Sequence, residues 1–199
     1  MNFRQLVEPN ITTNTDLETI IAYSNLGCKQ CKTSTCCESS TPVLLEGEAE
    51  RIADYLSIPF DDLVSKGLLP TEVYFKNRFK PKKYNFYCIF GVGSWIKKEK
   101  QIEEIRSRIY VSANSFLRLW KALERFTEAV TDVKILCGIQ EVKPLECKTI
   151  YCGDGGKSAS WFTLNYLVDP DDPRTVELYE KEIKSGHLAR LKTTHRSSL

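Results

Sequence analysis

The chain has 199 residues, of which 42% are hydrophobic and 27% are charged, and its formal net charge is +2. This length suits one domain with a sizeable core, and the near-neutral charge does not indicate a polyanionic partner. No apolar run approaches the roughly 18 residues of a membrane span, and the N-terminal residues lack the apolar core of a signal peptide. We therefore expect a cytoplasmic protein without a membrane partner, whose cysteines stay reduced.

The first predicted element is a helix that leads to a cluster of cysteines. Thr15 and Glu18 have the spacing of a capping box, with Thr15 as the N-cap. Apolar residues then recur at helical spacing, and Gly27 is a typical helix stop. A packed helix would hold the cysteines that follow it in a defined position.

Half of the eight cysteines lie in residues 28–37, in the pattern Cys-x2-Cys-x4-Cys-Cys. A Cys-x2-Cys turn allows two thiolates to converge on one soft metal ion. Cys36 and Cys37 point in opposite directions in extended backbone, so both can ligate only if the loop bends or if they serve different metals. In a reducing compartment such clusters favour metal or redox chemistry; an exported protein with a disulfide framework is the alternative.

Residues 46–69 predict two helices. The acidic residues Glu46 and Glu48 suit the positive end of a helix. One apolar stripe follows, formed by Ala49, Ile52, Ala53 and Leu56. This spacing predicts an amphipathic scaffold helix that ends at Pro59, and residues 60–69 predict a further short helix.

Aromatic and β-branched residues predict strand structure over residues 74–90. Pro81 and the charged residues around it indicate a hairpin turn within this range. Cys88 falls in an apolar part of the strand, where a lone cysteine is usually a small core residue. The range also contains a basic run without an acidic residue, formed by Lys76, Arg78, Lys80, Lys82 and Lys83.

The second half of the chain begins with a predicted helical hairpin at about residues 97–132. Residues 161–168 predict a last strand. Asp172 followed by proline is the signature of an N-cap with proline at the first helical position. The final helix is expected to run to about Ser185, with Gly186 as its stop.

Four separate segments supply sulfur for a metal site. The candidate ligands are Cys28, Cys31, Cys36, Cys37, Cys88, Cys137, Cys147 and Cys152. One zinc ion takes four thiolates, and one iron–sulfur cluster also takes four, so eight cysteines allow one site with spares or two sites. Nearby cations that lower thiol pKa values and favour the thiolate are Lys29, Lys32, Lys143 and Lys148.

Taken in order, these segments resemble the YkgJ-type cysteine-cluster family. The matching pieces are the cysteine motif at 28–37, the helix at 48–53, the strand at 87–90 and the segment 137–148, where lysine replaces two family arginines. The chain differs in having four residues before the adjacent cysteine pair, a long helical insertion, and a Cys152 without a counterpart. The resemblance implies a domain that chelates zinc or iron.

Other chemistry has weaker support in the sequence. The glycine-rich segment 153–158 lacks the spacing of a phosphate-binding loop, and His187 and His195 lack that of a metal or catalytic motif. The basic aromatic segment 74–87 could contact nucleic acid, but the near-neutral charge argues against it. A cluster-assisted modifying enzyme similar to flagellin lysine methylases, and a nucleic-acid-binding zinc module, are the alternatives.

The sequence therefore predicts one α+β domain over residues 1–199, mostly helical, with the helices around a compact cysteine-rich metal-binding core and a few short strands. The predicted role is chelation of zinc or iron, including a 4Fe–4S cluster, rather than catalysis. The metal ion is the predicted partner, and no protein partner is indicated.

Overall fold

The computed structural model describes residues 10–30, 41–84, 87–94, 96–110, 135–151 and 153–192, except for the side chains of residues 28–30. These residues are mostly helical with a few short antiparallel strands, which confirms the predicted α+β class. The cysteine-rich metal core stays a prediction. No helix among the described residues has the length and apolarity that crossing a bilayer requires.

The elements follow one another along the chain as short helices and strands. In order they are α1 (Leu17–Gln30), α2 (Glu48–Leu56), α3 (Phe60–Asp62), β1 (Leu68–Val73), β2 (Lys76–Pro81), β3 (Lys83–Tyr84), β4 (Tyr87–Cys88), β5 (Gly91–Gly93), α4 (Lys98–Tyr110), β6 (Ile135–Cys137), α5 (Leu145–Thr149), α6 (Lys157–Phe162) and α7 (Pro173–Lys184). Single π-helical turns, Leu63–Gly67 and Thr163–Leu167, continue α3 and α6, and a 3-10 turn, Gln140–Val142, precedes α5.

These elements divide into two compact units. The first unit comprises Met1–Cys31, Glu72–Lys76 and Leu145–Leu199, and the second comprises Lys32–Thr71 and Asn77–Pro144. Of the predicted helical hairpin at 97–132, its first part is observed as α4, and residues 111–134 lie outside the described residues.

In the first unit, both ends of α1 differ from the prediction. Asp16 is the N-cap, since its carboxylate accepts the Thr19 backbone N–H at 2.8 Å, whereas the Thr15 hydroxyl accepts the Thr12 N–H instead. The helix also continues past Gly27 to Gln30. A Cβ atom at Gly27 would lie 2.5 Å from the ring of Tyr151, so this glycine permits a close approach rather than ending the helix.

The predicted strand at 161–168 is wrong, because this segment forms α6 and its π-helical continuation. Gly156 is the N-cap of α6, and the Asp154 carboxylate accepts the backbone N–H groups of Gly156 at 3.0 Å and Ser158 at 2.8 Å at the start of this helix. Trp161 is buried, and its ring N–H donates to the Thr15 carbonyl oxygen at 2.8 Å. The first unit therefore has a helical core, in which α5 packs against both α1 and α6.

The final helix α7 confirms its prediction. The Asp172 carboxylate accepts the backbone N–H of Arg174 at 3.0 Å, and Pro173 occupies the first helical position. The helix ends at Lys184, and Gly186 follows with a φ of 79°. The cap residue, the proline and the terminating glycine lie next to the helix in the sequence, so the sequence alone predicts both of its ends.

The predicted hairpin turn at Pro81 is also wrong. Strands β1 and β2 pair with each other, the turn between them is formed by Tyr74 and Phe75, and Pro81 is the last residue of β2. Tyr74 and Phe75 both have positive φ, 51° and 60°, which is uncommon for bulky residues. Contacts with α7 hold this turn: the Tyr74 hydroxyl donates to Glu182, and burial with this bond raises the pKa of Tyr74. The Arg174 guanidinium lies 4.9 Å from the Phe75 ring centre.

The second unit has the apolar core that the sequence predicted for α2. The buried stripe of α2 packs with residues of α4 and of the β4–β5 segment, and the main buried contributors are Ile52, Ala53, Leu56, Leu63, Phe90, Val92, Ile105, Ile109 and Ile139. Burying one Leu or Ile side chain contributes about 1.5–3 kcal/mol. Strand β5 pairs antiparallel with β6 at one edge of this core, and β3 pairs with β4.

Candidate metal centre

The structure describes the side chains of three of the predicted ligands. Cys88, Cys137 and Cys147 are thiols that form no disulfide. Cys28 lies in the last turn of α1. The side chain of Cys28, and the residues Cys31, Cys36, Cys37 and Cys152, lie outside the described part of the chain.

The fold of the second unit brings Cys88 and Cys137 together. Cys137 is the last residue of β6 and lies directly opposite Gly91 of β5 in the antiparallel pair. Cys88 is the last residue of β4 and precedes Gly91 by three residues. The Gly138 N–H donates to the Phe90 carbonyl oxygen at 2.9 Å, which extends the pairing beside the turn. The Cys88 carbonyl oxygen lies so close to Gly91 that a Cβ atom at position 91 would be 3.1 Å from it. Two thiols that are remote in sequence therefore share one corner of the core.

The environment of Cys88 disfavours the thiolate form of its side chain. Burial raises the pKa of the Cys88 thiol to about 12; the nearby Cys137 raises it too, while the Phe90 N–H and Arg108 act in the opposite direction. A thiol in this state is a poor nucleophile, so the geometry gives no support for Cys88 as a catalytic residue. A metal ion could bind only by displacing its proton.

A buried cation lies beside the two thiols. Arg108 of α4 is 9% exposed, and its guanidinium donates to the Gly91 carbonyl oxygen. It also pairs with Glu104 at 3.1 Å and lies 5.6 Å from the centre of the Tyr84 ring. Arg108 is not among the site residues predicted from the sequence. Its spacing from Ile105, three residues, is nevertheless a sequence signal that places it on the buried face of α4.

Cys147 lies in the first unit, where two cysteine-bearing helices are in contact. Helix α5, which contains Cys147, packs against α1, which contains Cys28. The Ser24 hydroxyl of α1 donates to the Ile150 carbonyl oxygen at 3.1 Å. The contact of Gly27 with the Tyr151 ring lies one residue from Cys28. The backbone at the end of α1 is therefore adjacent to the segment that follows Cys147.

The described side chains do not complete a metal site. Among them, no group of three or more histidine, cysteine, aspartate or glutamate residues is placed to hold a metal ion. His187 is exposed and its ring contacts the Ser185 hydroxyl. The Cys88–Cys137 pair offers the donor type that zinc and iron–sulfur clusters prefer, so it fits as part of a ligand set that other cysteines would have to complete.

The basic run at residues 76–83 is partly used within the protein. Lys76 pairs with Asp169 at 3.3 Å, and the Lys82 ammonium donates to the Ser65 carbonyl oxygen at 2.8 Å. The Nε atom of Arg78 is buried and makes no hydrogen bond. These cations are therefore less available to a nucleic-acid backbone than the sequence alone indicates.

Comparison with known proteins identifies no relative. No protein-family model matches the chain, and neither a curated protein nor a solved structure matches it significantly. The resemblance to the YkgJ-type family therefore stays a prediction, and the function has to be argued from the residues and their placement.

Proposed function

We propose that this protein chelates zinc or an iron–sulfur cluster through a composite set of cysteine thiolates. The observation that carries the proposal is the convergence of Cys88 and Cys137, which the β5–β6 pairing brings into one corner of the core. The sequence supplies further cysteines in numbers that suit a four-thiolate site. Bound metal would supply a link between distant segments of the chain.

The chain's own residues would contribute three things to such a site. Cys88 and Cys137 donate sulfur, and each must release a proton on binding. The buried apolar residues beside Cys88, Ile89 and Phe90, limit the access of water to its thiol. The short β5–β6 pairing sets Cys137 opposite Gly91, which follows Cys88 by three residues.

A buried and a partly buried cysteine can also be ordinary core residues, so the experiment must separate that role from metal binding. The full chain is purified anaerobically and its metal content and optical spectrum are measured. We expect either stoichiometric zinc without visible absorption or stoichiometric iron with charge-transfer absorption. Cys88→Ser and Cys137→Ser should each lower the metal content.

The matched control is Val92→Ala, which removes a buried side chain from the same core without removing a sulfur donor. It should lower stability by about 0.5–2 kcal/mol and leave the metal content unchanged. A wild-type protein that folds with no metal, or a Val92→Ala variant that loses metal as the cysteine variants do, would contradict the proposal.

One observation favours the enzyme alternative, a cluster-assisted modifying activity. An open groove in the second unit is lined by Ile96, Lys97, Lys100, Glu103 and Glu104. Glu104 pairs with Arg108, and Arg108 donates to the carbonyl oxygen of Gly91, so two contacts connect the groove to the turn after Cys88. An enzyme would need an open coordination position. Binding of azide or cyanide to the metal-loaded protein, seen as a spectral shift, would favour this alternative over closed chelation.

A further inference from the structure

We infer that Arg108 is the counter-charge of the Cys88–Cys137 pair, with a guanidinium that offsets the negative charge of a thiolate-bound metal. This inference rests on the proposed function. It assigns a positioning role to a side chain that is not itself a metal ligand.

The position of Arg108 is fixed by the same backbone that positions the thiols. Its guanidinium donates to the carbonyl oxygen of Gly91, and Gly91 is the residue directly opposite Cys137. The chain between Cys88 and Gly91 is a short turn, so this hydrogen bond holds the guanidinium three residues along the chain from Cys88 and at the residue opposite Cys137.

The burial of Arg108 gives the second argument. Its side chain is 7% exposed, whereas its partner Glu104 is 33% exposed, so water screens the carboxylate more than the guanidinium. A buried cation is costly unless negative charge compensates it. The partly solvated Glu104 carboxylate compensates the positive charge of Arg108 only in part. Negatively charged thiolates in the same part of the core would compensate the rest of that charge.

A metal site of this kind has a net negative charge. A zinc ion with four thiolates has a formal charge of about −2, and a nearby cation stabilises that state relative to the protonated thiols. Side chains that support metal ligands from outside the ligand set typically change metal affinity by about 10–100-fold when they are removed. We expect Arg108→Met, which keeps length but removes charge, to weaken zinc binding by a factor in this range.

The test is a competition titration of the reduced, metal-free full chain with Zn²⁺ and a chromophoric chelator. Arg108→Lys restores a positive charge and should recover most of the affinity that Arg108→Met loses. Arg106→Met is the matched control, because Arg106 lies on the same helix and donates to the Leu56 carbonyl oxygen. It should bind Zn²⁺ within about two-fold of the wild type, since it removes no charge beside the thiols.

A second variant tests the same idea without removing Arg108. Glu104→Gln keeps a hydrogen-bonding side chain but removes the competing carboxylate, so zinc binding should become tighter by several-fold. The inference would be overturned if Arg108→Met bound Zn²⁺ like the control, or if Glu104→Gln weakened binding. Failure of the proposed function is distinct, because the wild-type protein itself would then bind no Zn²⁺.

Discussion

Gly27 is the residue whose structural role differs most from its sequence-based interpretation. It lies inside α1, where alanine would normally be about 1 kcal/mol more favourable. A Cβ atom there would meet the Tyr151 ring at 2.5 Å, and that ring is itself held edge-on by Tyr23, with 5.5 Å between centroids. Overpacking at such a contact outweighs the gain in helix propensity.

We therefore predict that Gly27→Ala lowers the free energy of unfolding by about 1–3 kcal/mol in urea denaturation. The control is the same substitution in a Tyr151→Leu background. The smaller, more adaptable side chain should reduce the cost of Gly27→Ala, so that the two changes are not additive. Equal costs in both backgrounds would show that the ring contact does not determine the effect.

Helix α7 provides a prediction at the scale of an element, because its cap has a pH dependence with a definite sign. The side chain and backbone N–H groups of Arg174 hold the pKa of Asp172 below its ordinary value of 3.8. A lowered pKa stabilises the fold fully above the unfolded-state value, and this contribution is lost as pH falls through the folded-state value.

Asp172→Asn keeps an N-cap acceptor but removes this charge. We predict that the wild type is more stable than Asp172→Asn near neutral pH, and that the difference shrinks below about pH 4. Circular dichroism of thermal unfolding between about pH 2 and 7 measures it. A difference for Asp172→Asn that stays constant with pH would contradict the assignment.

The elements differ in how far the sequence predicts them, and the difference depends on where their signals lie. Helix α7 was predicted because Asp172, Pro173 and Gly186 act locally. The aromatic and β-branched residues of the segment 161–168 favour a strand, but this segment is helical: the Asp154 carboxylate accepts the Ser158 N–H at the start of α6, and Trp161 is buried. Tertiary contacts override propensity at that point.

The sequence predicts which cysteines are candidate ligands, but it does not predict how they are arranged in space. Cys88 and Cys137 were both named as ligands from the sequence, but their proximity depends on the β5–β6 register, a pairing between segments that are remote in the chain. Arg108 was missed because its relation to the thiols exists only through its bond to the Gly91 carbonyl oxygen. Spacing within a sequence does not encode such a contact.

At the scale of the whole molecule, the cysteine-bearing elements divide between the two units. Helices α1 and α5, with Cys28 and Cys147, are in contact within the first unit, and strands β4 and β6, with Cys88 and Cys137, lie in the second. Each unit thus brings together two segments that could anchor a metal. If each unit completes its own ligand set, the full chain binds two metal ions or clusters, because each needs about four thiolates.

We therefore predict a metal stoichiometry of two per chain, measured by elemental analysis of the anaerobically purified protein. The double variant Cys88→Ser/Cys137→Ser should retain one metal, and so should Cys28→Ser/Cys147→Ser, because each disables the anchors of one unit only. Combining all four substitutions should leave none. A stoichiometry of one that either double variant abolishes would instead indicate a single composite site. The count of metals per chain therefore distinguishes two sites from one.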